Sequence, residues 1–229
     1  MIAAVGFSTR FYPGVDLMGR LLGRGYFGRV KYLEYEYGTR GGWSPLSLYN
    51  LDRRQAGGGV LVVTGSHFLD RVIHWFGYPE VLEYRDDSHG GPEANAAGRL
   101  RFASAAHGSF EARFLLSKTA SLKNRLAIET EQGRCELAEA EAARITLIPA
   151  GAEDLVHEIG PRKEPARKKS AAQALIEDFV EAVRENRPPR ADCHAARLSV
   201  LLTAELYGKR EPLPEPWMWY AAPAKGAAS

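Results

Sequence analysis

The sequence has few cysteines and no long hydrophobic run, and these two shortages exclude several classes of protein. Cys135 and Cys193 are the only cysteines among 229 residues, too few for a disulfide framework and not arranged in a zinc motif. No apolar run approaches the roughly 20 residues that a membrane-spanning helix requires. The apolar start from Met1 to Phe11 lacks the basic region and cleavage site of a signal peptide. We therefore expect a soluble protein of the cytoplasm.

An excess of charge of one sign is also missing. The 30 basic side chains nearly balance the 28 acidic ones, for a net charge of +2. Nucleic acids and membrane surfaces are bound by concentrated basic patches, so we expect neither partner. His67, Asp70 and His74 would share one face of a helix, as metal ligands can, but the sequence suggests no fourth ligand. We therefore predict no metal site.

Alternation of apolar and polar residues, which is typical of β-strands, dominates the chain. It occurs in eight segments: Val30–Tyr37, Val81–Arg85, Gly98–Phe102, Ser109–Leu116, Arg125–Glu131, Arg134–Leu137, Arg144–Ile148 and Leu155–Ile159. Two short apolar runs, Ile2–Phe7 and Val60–Val63, fit brief buried strands.

Apolar residues recur at helical spacing in four other segments. These are Val15–Leu22, Ser66–Phe76, Ala171–Arg187 and His194–Lys209. A run of strands followed by closing helices is typical of an α+β fold. We therefore predict an open, mostly antiparallel or mixed sheet of about six to eight strands, with helices packed on one face.

A glycine-rich stretch precedes one of these helices. Gly57, Gly58 and Gly59 stand together before the Val60–Val63 run, and glycine lets backbone approach backbone or ligand closely. The turn after that run would place His67 in the first turn of a helix, where the helix dipole favours a neutral imidazole. A neutral imidazole can exchange a proton with a hydroxyl. A flexible loop and a purely structural histidine are the alternatives.

The same stretch resembles the hallmark of the Gfo/Idh/MocA family, in which a glycine triplet leads to an Asp-x-Gly-x-His-x-x-Asp sequence. Other parts of the chain are similar to that family as well. They are Val5–Pro13, Gly25–Gly28, Ala174–Arg187 with the two prolines that follow, and Ala196–Tyr207. The resemblance implies that residues 1–13 are the remnant of a last Rossmann strand and its connector. Residues 14–229 would form the family's C-terminal α+β domain.

Two departures from the family pattern limit what the resemblance implies. No Gly-x-Gly-x-x-Gly follows a predicted strand, and the Glu-Lys-Pro that carries the family's lysine is absent. Val63 replaces the aspartate of the hallmark, so only His67 carries over from the family's proton-transfer set. We therefore expect this chain alone to bind no cofactor. NAD or NADP is implied only if a Rossmann-domain partner exists.

The family's substrates imply a sugar, a polyol or a sugar derivative for this chain. By the same resemblance, Arg10 and the loop residues Trp43 and Arg53 would contact the substrate, and Gly57, Gly58 and Gly59 would shape the pocket wall. Arginine forks and aromatic faces are suited to such ligands. A solvated Arg53 and a Trp43 that packs the loop are the alternatives.

Partners follow from the same considerations. The alternating strands place apolar side chains on one face of the sheet, and the predicted helices are too few to cover both faces. We therefore expect a homo-oligomer that forms through the uncovered sheet face. A separate subunit that carries the Rossmann domain is one possibility, and loss of that domain from a truncated gene is the other. A non-catalytic binding or regulatory module on the same fold is the alternative, and a cofactor-independent lyase or isomerase that uses His67 is a third possibility.

Overall fold

The computed structural model describes residues 1–41, 48–139, 143–160 and 170–213. Within these ranges the strands form one nine-stranded sheet. The strands are β1 (Val30–Gly38), β2 (Glu80–Asp86), β3 (Asn95–Ser104), β4 (Gly108–Ser117), β5 (Arg125–Thr130), β6 (Gly133–Ala138), β7 (Ile145–Pro149), β8 (His157–Ile159) and β9 (Arg210–Pro212).

The sheet is mixed and runs in the order β8-β7-β6-β5-β1-β4-β3-β2-β9. Strand β1 lies at its centre, parallel to β4 and antiparallel to β5. The α+β class with a large mixed sheet is confirmed, but the predicted number of strands was wrong. The ninth strand, β9, has only three residues, too few for alternation to show, and it is held by parallel pairing with β2.

Five helices accompany the sheet in the described part of the chain. They are α1 (Pro13–Gly23), α2 (Arg53–Ala56), α3 (Ser66–Phe76), α4 (Ala171–Glu185) and α5 (Cys193–Gly208). None of them is long and apolar enough to cross a membrane. The core lies between the sheet and α1, α3 and α5, where Phe68 of α3 stacks on Tyr35 of β1 with ring centroids 4.3 Å apart. The apolar half of each alternating strand is thereby buried.

The opposite face of the sheet is charged. Arg99 lies 2.7 Å from Glu111, and Arg134 lies 2.7 Å from Glu129, in ion pairs that cross between strands. Further cross-strand pairs join Arg125 to Glu136 and Glu34. The sequence led us to expect apolar side chains on an uncovered face, but the helices take the apolar half of the alternation. The uncovered face of the sheet therefore carries ion pairs between neighbouring strands.

Two of the predicted strands do not form. Val60–Val63 is helical instead: Val60 has helical dihedral angles, and the π-helical turn Leu61–Gly65 runs directly into α3. A four-residue apolar run is ambiguous because a buried helix segment has the same composition as a buried strand. Ile2–Phe7 makes only an isolated bridge between Ala4 and Asp192.

Candidate functional site

His67 lies inside a continuous helical segment and not in its first turn. The segment begins at Val60 and continues through Phe76. Neither Thr64 nor Ser66 caps it, because the residue before α3 is already helical and no side chain accepts a capping bond there. The helix N-terminus therefore cannot explain a neutral imidazole at His67, since the dipole effect fades within the first turn.

The surroundings of His67 give a different reason for a neutral ring. Burial lowers the pKa of His67, the positive charge of Arg71 lowers it further, and Asp70 opposes both effects. The imidazole meets the edge of the Phe7 ring, with centroids 5.8 Å apart. Its Nδ1 is buried and has no hydrogen-bond partner among the described residues. We infer that Nε2 is the ring nitrogen that would meet a ligand.

Arg10, predicted to contact the substrate, forms a buried ion pair with Asp70. Its Nε and Nη2 donate to the two carboxylate oxygens of Asp70 at 2.7 and 2.6 Å. Its Nη1 donates to the backbone carbonyl of Arg190. This fork ties the 3-10 turn Ser8–Phe11 to α3 beside His67. The geometry gives Arg10 an anchoring role and leaves little of its donor capacity for a ligand.

The glycine triplet is required by contacts within the protein. Gly57 ends α2 in the left-handed conformation, with φ of 78°. A Cβ at Gly58 would overlap the hydroxyl of Tyr207, and a Cβ at Gly59 would overlap the backbone of Glu93. Of the two uses expected for these glycines, the close approach of backbone to backbone is the one that the structure contains.

Glu93 is a buried group that the sequence did not single out. Its Oε1 accepts hydrogen bonds from the backbone N–H of Leu61 at 3.0 Å and from the hydroxyl of Tyr207 at 2.7 Å. Its carbonyl oxygen accepts from the N–H of Val60 at 2.8 Å. A carboxylate at a helix N-terminus is favoured by the helix dipole. Glu93 therefore fixes the start of the segment that carries His67.

Replacing Gly59 tests this close packing. We expect Gly59→Ala to lower the free energy of unfolding by about 2–3 kcal/mol, because the new methyl group must displace the Glu93 backbone. Gly6→Ala is the matched control: Gly6 is exposed and a Cβ there meets no atom within 4 Å, so we expect a change below about 0.5 kcal/mol. Urea denaturation measures both. Equal stability of the two variants would contradict the packing role of Gly59.

Two further residues, Arg53 and Trp43, were predicted to contact the substrate. Arg53 begins α2 and lies 6.0 Å from the centroid of the Tyr207 ring, the same ring that packs on Gly58. Trp43 lies outside the described residues. The structure thus brings Arg10 to His67 and Arg53 to the glycine triplet. Within the described ranges, no group of three or more His, Cys, Asp or Glu side chains is arranged to hold a metal ion.

Comparison with solved structures finds the same fold in several oxidoreductases and dehydrogenases. An aldose-aldose oxidoreductase from Caulobacter crescentus, complexed with glycerol, superposes with a TM-score of 0.74 at 18% identity, covering 90% of this chain and 61% of that one. A levoglucosan dehydrogenase in complex with NADH and levoglucosan gives 0.73 at 15% identity, covering 91% and 64%. A UDP-N-acetylglucosamine 3-dehydrogenase from Acidithiobacillus ferrooxidans gives 0.69 at 17% identity, covering 92% and 62%.

These likenesses show the fold, and the chain spans under two thirds of the length of each of those three proteins. No curated protein matches the sequence. The sequence does match the family model described as the oxidoreductase family, C-terminal alpha/beta domain, over residues 20–211. That match covers most of the chain, which therefore belongs to the Gfo/Idh/MocA family of oxidoreductases.

Proposed function

We propose that this chain is the substrate-binding part of an NAD(P)-dependent oxidoreductase that acts on a sugar, a polyol or a sugar derivative. The observation that carries the proposal is His67, a half-buried histidine whose pKa is lowered and whose Nδ1 is buried without a hydrogen-bond partner among the described residues. Several structural relatives are named as oxidoreductases or dehydrogenases of sugars. In keeping with its two free cysteines, we place the protein in the cytoplasm.

The proposed role of His67 is to handle the proton of a substrate hydroxyl. A hydroxyl that is being oxidised must lose its proton, and a neutral imidazole within hydrogen-bond reach can accept it. Phe7 holds the ring from one side, and the Arg10–Asp70 pair fixes the helix against the Ser8–Phe11 turn. In the proposal, Arg53 and Trp43 hold the substrate from the loop before α2, and Gly57, Gly58 and Gly59 form the adjoining wall.

The described residues do not fit a dinucleotide. Pyrophosphate binding needs free backbone amides at a glycine-rich turn that opens a helix. Here Gly58 and Gly59 pack against Tyr207 and Glu93, and the N–H of Leu61 is already bonded to the Glu93 carboxylate. We therefore propose that NAD or NADP is held by a Rossmann domain outside these residues, such as one on a partner subunit.

A non-catalytic binding or regulatory module is the second candidate. Val63, which replaces the family's aspartate, favours it because His67 has no carboxylate partner in that position. In this alternative the chain binds a sugar-like ligand or a protein partner without turnover.

Ligand titration distinguishes these two candidate functions from that of an enzyme that binds its cofactor unaided. We expect calorimetry with NAD⁺, NADH, NADP⁺ and NADPH to detect no binding by the purified chain, because it lacks the turn described above. We expect millimolar aldoses and polyols to shift the NMR signals of the His67 ring. A low-micromolar dissociation constant for any of the four cofactors, or a His67 ring that responds to no sugar or polyol, would contradict the proposed division of labour.

We further propose that the chain forms a homo-oligomer through the charged face of its sheet. Arginines and glutamates alternate there across strands, and a face that carries both signs can match a second copy of itself across a two-fold axis. Light scattering at micromolar concentration and low salt should give at least twice the 25.2 kDa of one chain. The mass should fall as salt is added, because salt screens exposed charges. A monomer at every salt concentration would rule out this interface.

A further inference from the structure

Two buried ion pairs lie near His67. The first is Arg10–Asp70. The second joins Arg71, one helical turn after His67, to Glu139 at the end of β6, with Nη2 and Oε1 2.8 Å apart. Residues four apart on a helix lie on the same face, so Arg71 and His67 are neighbours.

Arg71 is held in an unusual setting for a charged side chain. It is only 1% exposed, and its guanidinium lies over the Tyr35 ring, 5.5 Å from the centroid. Its charge and its hydrogen-bonding groups are directed at Glu139 and Tyr35, and its nitrogens make no hydrogen bond to any other described residue. Burying a charge with incomplete hydrogen bonding is costly, and apolar pairs of similar volume are often no less stable than buried ion pairs. Stability alone therefore gives no reason for an arginine at this position.

Asp70 offsets this cation only in part, because it raises the pKa of His67 by less than Arg71 lowers it. Both oxygens of Asp70 are occupied by Arg10. Val63, the position that would carry a carboxylate in the family pattern, is apolar. The charged groups that act on the imidazole are thus Arg71 and Asp70 from its own helix, and Arg10 from the Ser8–Phe11 turn contacts Asp70. An imidazolium at His67 would face a fixed cation without a free counter-ion.

We propose that Arg71 is a positioning residue for His67: its buried guanidinium, held by Glu139 and Tyr35, keeps the imidazole neutral so that Nε2 can accept the proton of a substrate hydroxyl. The inference rests on the proposed function and deepens it. This role would also explain why a charged pair, and not an apolar one, occupies these two buried positions. A neutral ring at the working pH is a condition for a histidine that accepts a proton.

The test follows the ring nitrogens of all six histidines by NMR as the pH is lowered, in the isolated chain and without substrate. We expect Arg71→Met to raise the pKa of His67, because the nearby positive charge is gone. His74 is the internal control. Its pKa is lowered by burial, Arg10 and Arg190, without a contribution from Arg71, so its titration should stay where it is. Arg71→Lys, which keeps the charge, should leave His67 near its wild-type titration.

A second variant covers the case in which Arg71→Met fails to fold because Glu139 is left unpaired. Arg71→Met/Glu139→Met removes the whole pair, an exchange that buried ion pairs usually tolerate, and should again raise the pKa of His67 alone. An unchanged His67 titration in both variants, or equal movement of His67 and His74, would overturn the proposal. Because this measurement needs no turnover, it stands apart from the outcome of any activity test of His67.

Discussion

His67→Asn should lower turnover of the assembled oxidoreductase by roughly 10²–10⁴-fold, the usual contribution of a positioned general acid or base. The asparagine keeps a polar group of similar size but cannot take up a proton. Folding should be little affected, because His67 makes no hydrogen bond through Nδ1 among the described residues. The measurement is kcat with the nucleotide-binding partner present, alongside the unfolding midpoint of each variant.

His74→Asn provides a matched control for this experiment. His74 is on the same helix, two turns after His67, and its side chain is more exposed than that of His67. The same substitution there should leave kcat unchanged. Val63→Asp is the companion variant, since it would place a carboxylate one helical turn before His67. Equal kcat for wild type and His67→Asn would show that the proton of the substrate goes elsewhere.

Arg10→Met should lower the free energy of unfolding by roughly 3–5 kcal/mol, because it leaves the Asp70 carboxylate buried without its partner. Asp70 is 1% exposed and receives two short hydrogen bonds from Arg10. The double variant Arg10→Met/Asp70→Met should recover most of the loss, since it removes both charges together. Urea denaturation of these two variants, of Asp70→Met and of the wild type forms a double-mutant cycle.

An exposed ion pair of the same type serves as the control. Arg20 pairs with Asp16 at 3.1 Å on the surface of α1, and its side chain is 61% exposed. Arg20→Met should cost less than about 0.5 kcal/mol, because solvent screens such pairs. If Arg10→Met cost no more than Arg20→Met, the buried fork could not be what holds the Ser8–Phe11 turn to α3.

The sequence predicts local structure in this protein far better than long-range contacts. The bounds of α3 agree with the predicted Ser66–Phe76, and each of the eight alternating segments overlaps a strand, because alternation reflects a sheet with one buried face. Val60–Val63 was misassigned because an apolar run of four residues has no readable period. Its helical state depends on Glu93, which is distant in sequence.

The same distinction holds for the candidate site. His67 was singled out because a motif surrounds it in sequence. The partners that set its environment come from elsewhere: Arg10 is 60 positions from Asp70, and Glu139 follows β6. Nothing in the sequence says which of the 28 acidic side chains will meet a given arginine. Consequently Arg10 was predicted as a substrate contact, whereas its guanidinium is engaged by Asp70.

The central position of β1 has a consequence for how the chain folds. β4 and β5 follow one another in sequence and run in opposite directions, yet β1 is inserted between them. Nascent β4 and β5 can pair with each other first, because short loops close more readily than long ones. Such a hairpin would have to open before β1 could enter, and non-local pairing of this kind slows folding. Refolding should therefore show a slow phase. The amides of the β3–β4 and β5–β6 hairpins should be protected from hydrogen exchange before that phase, and those of β1 during it.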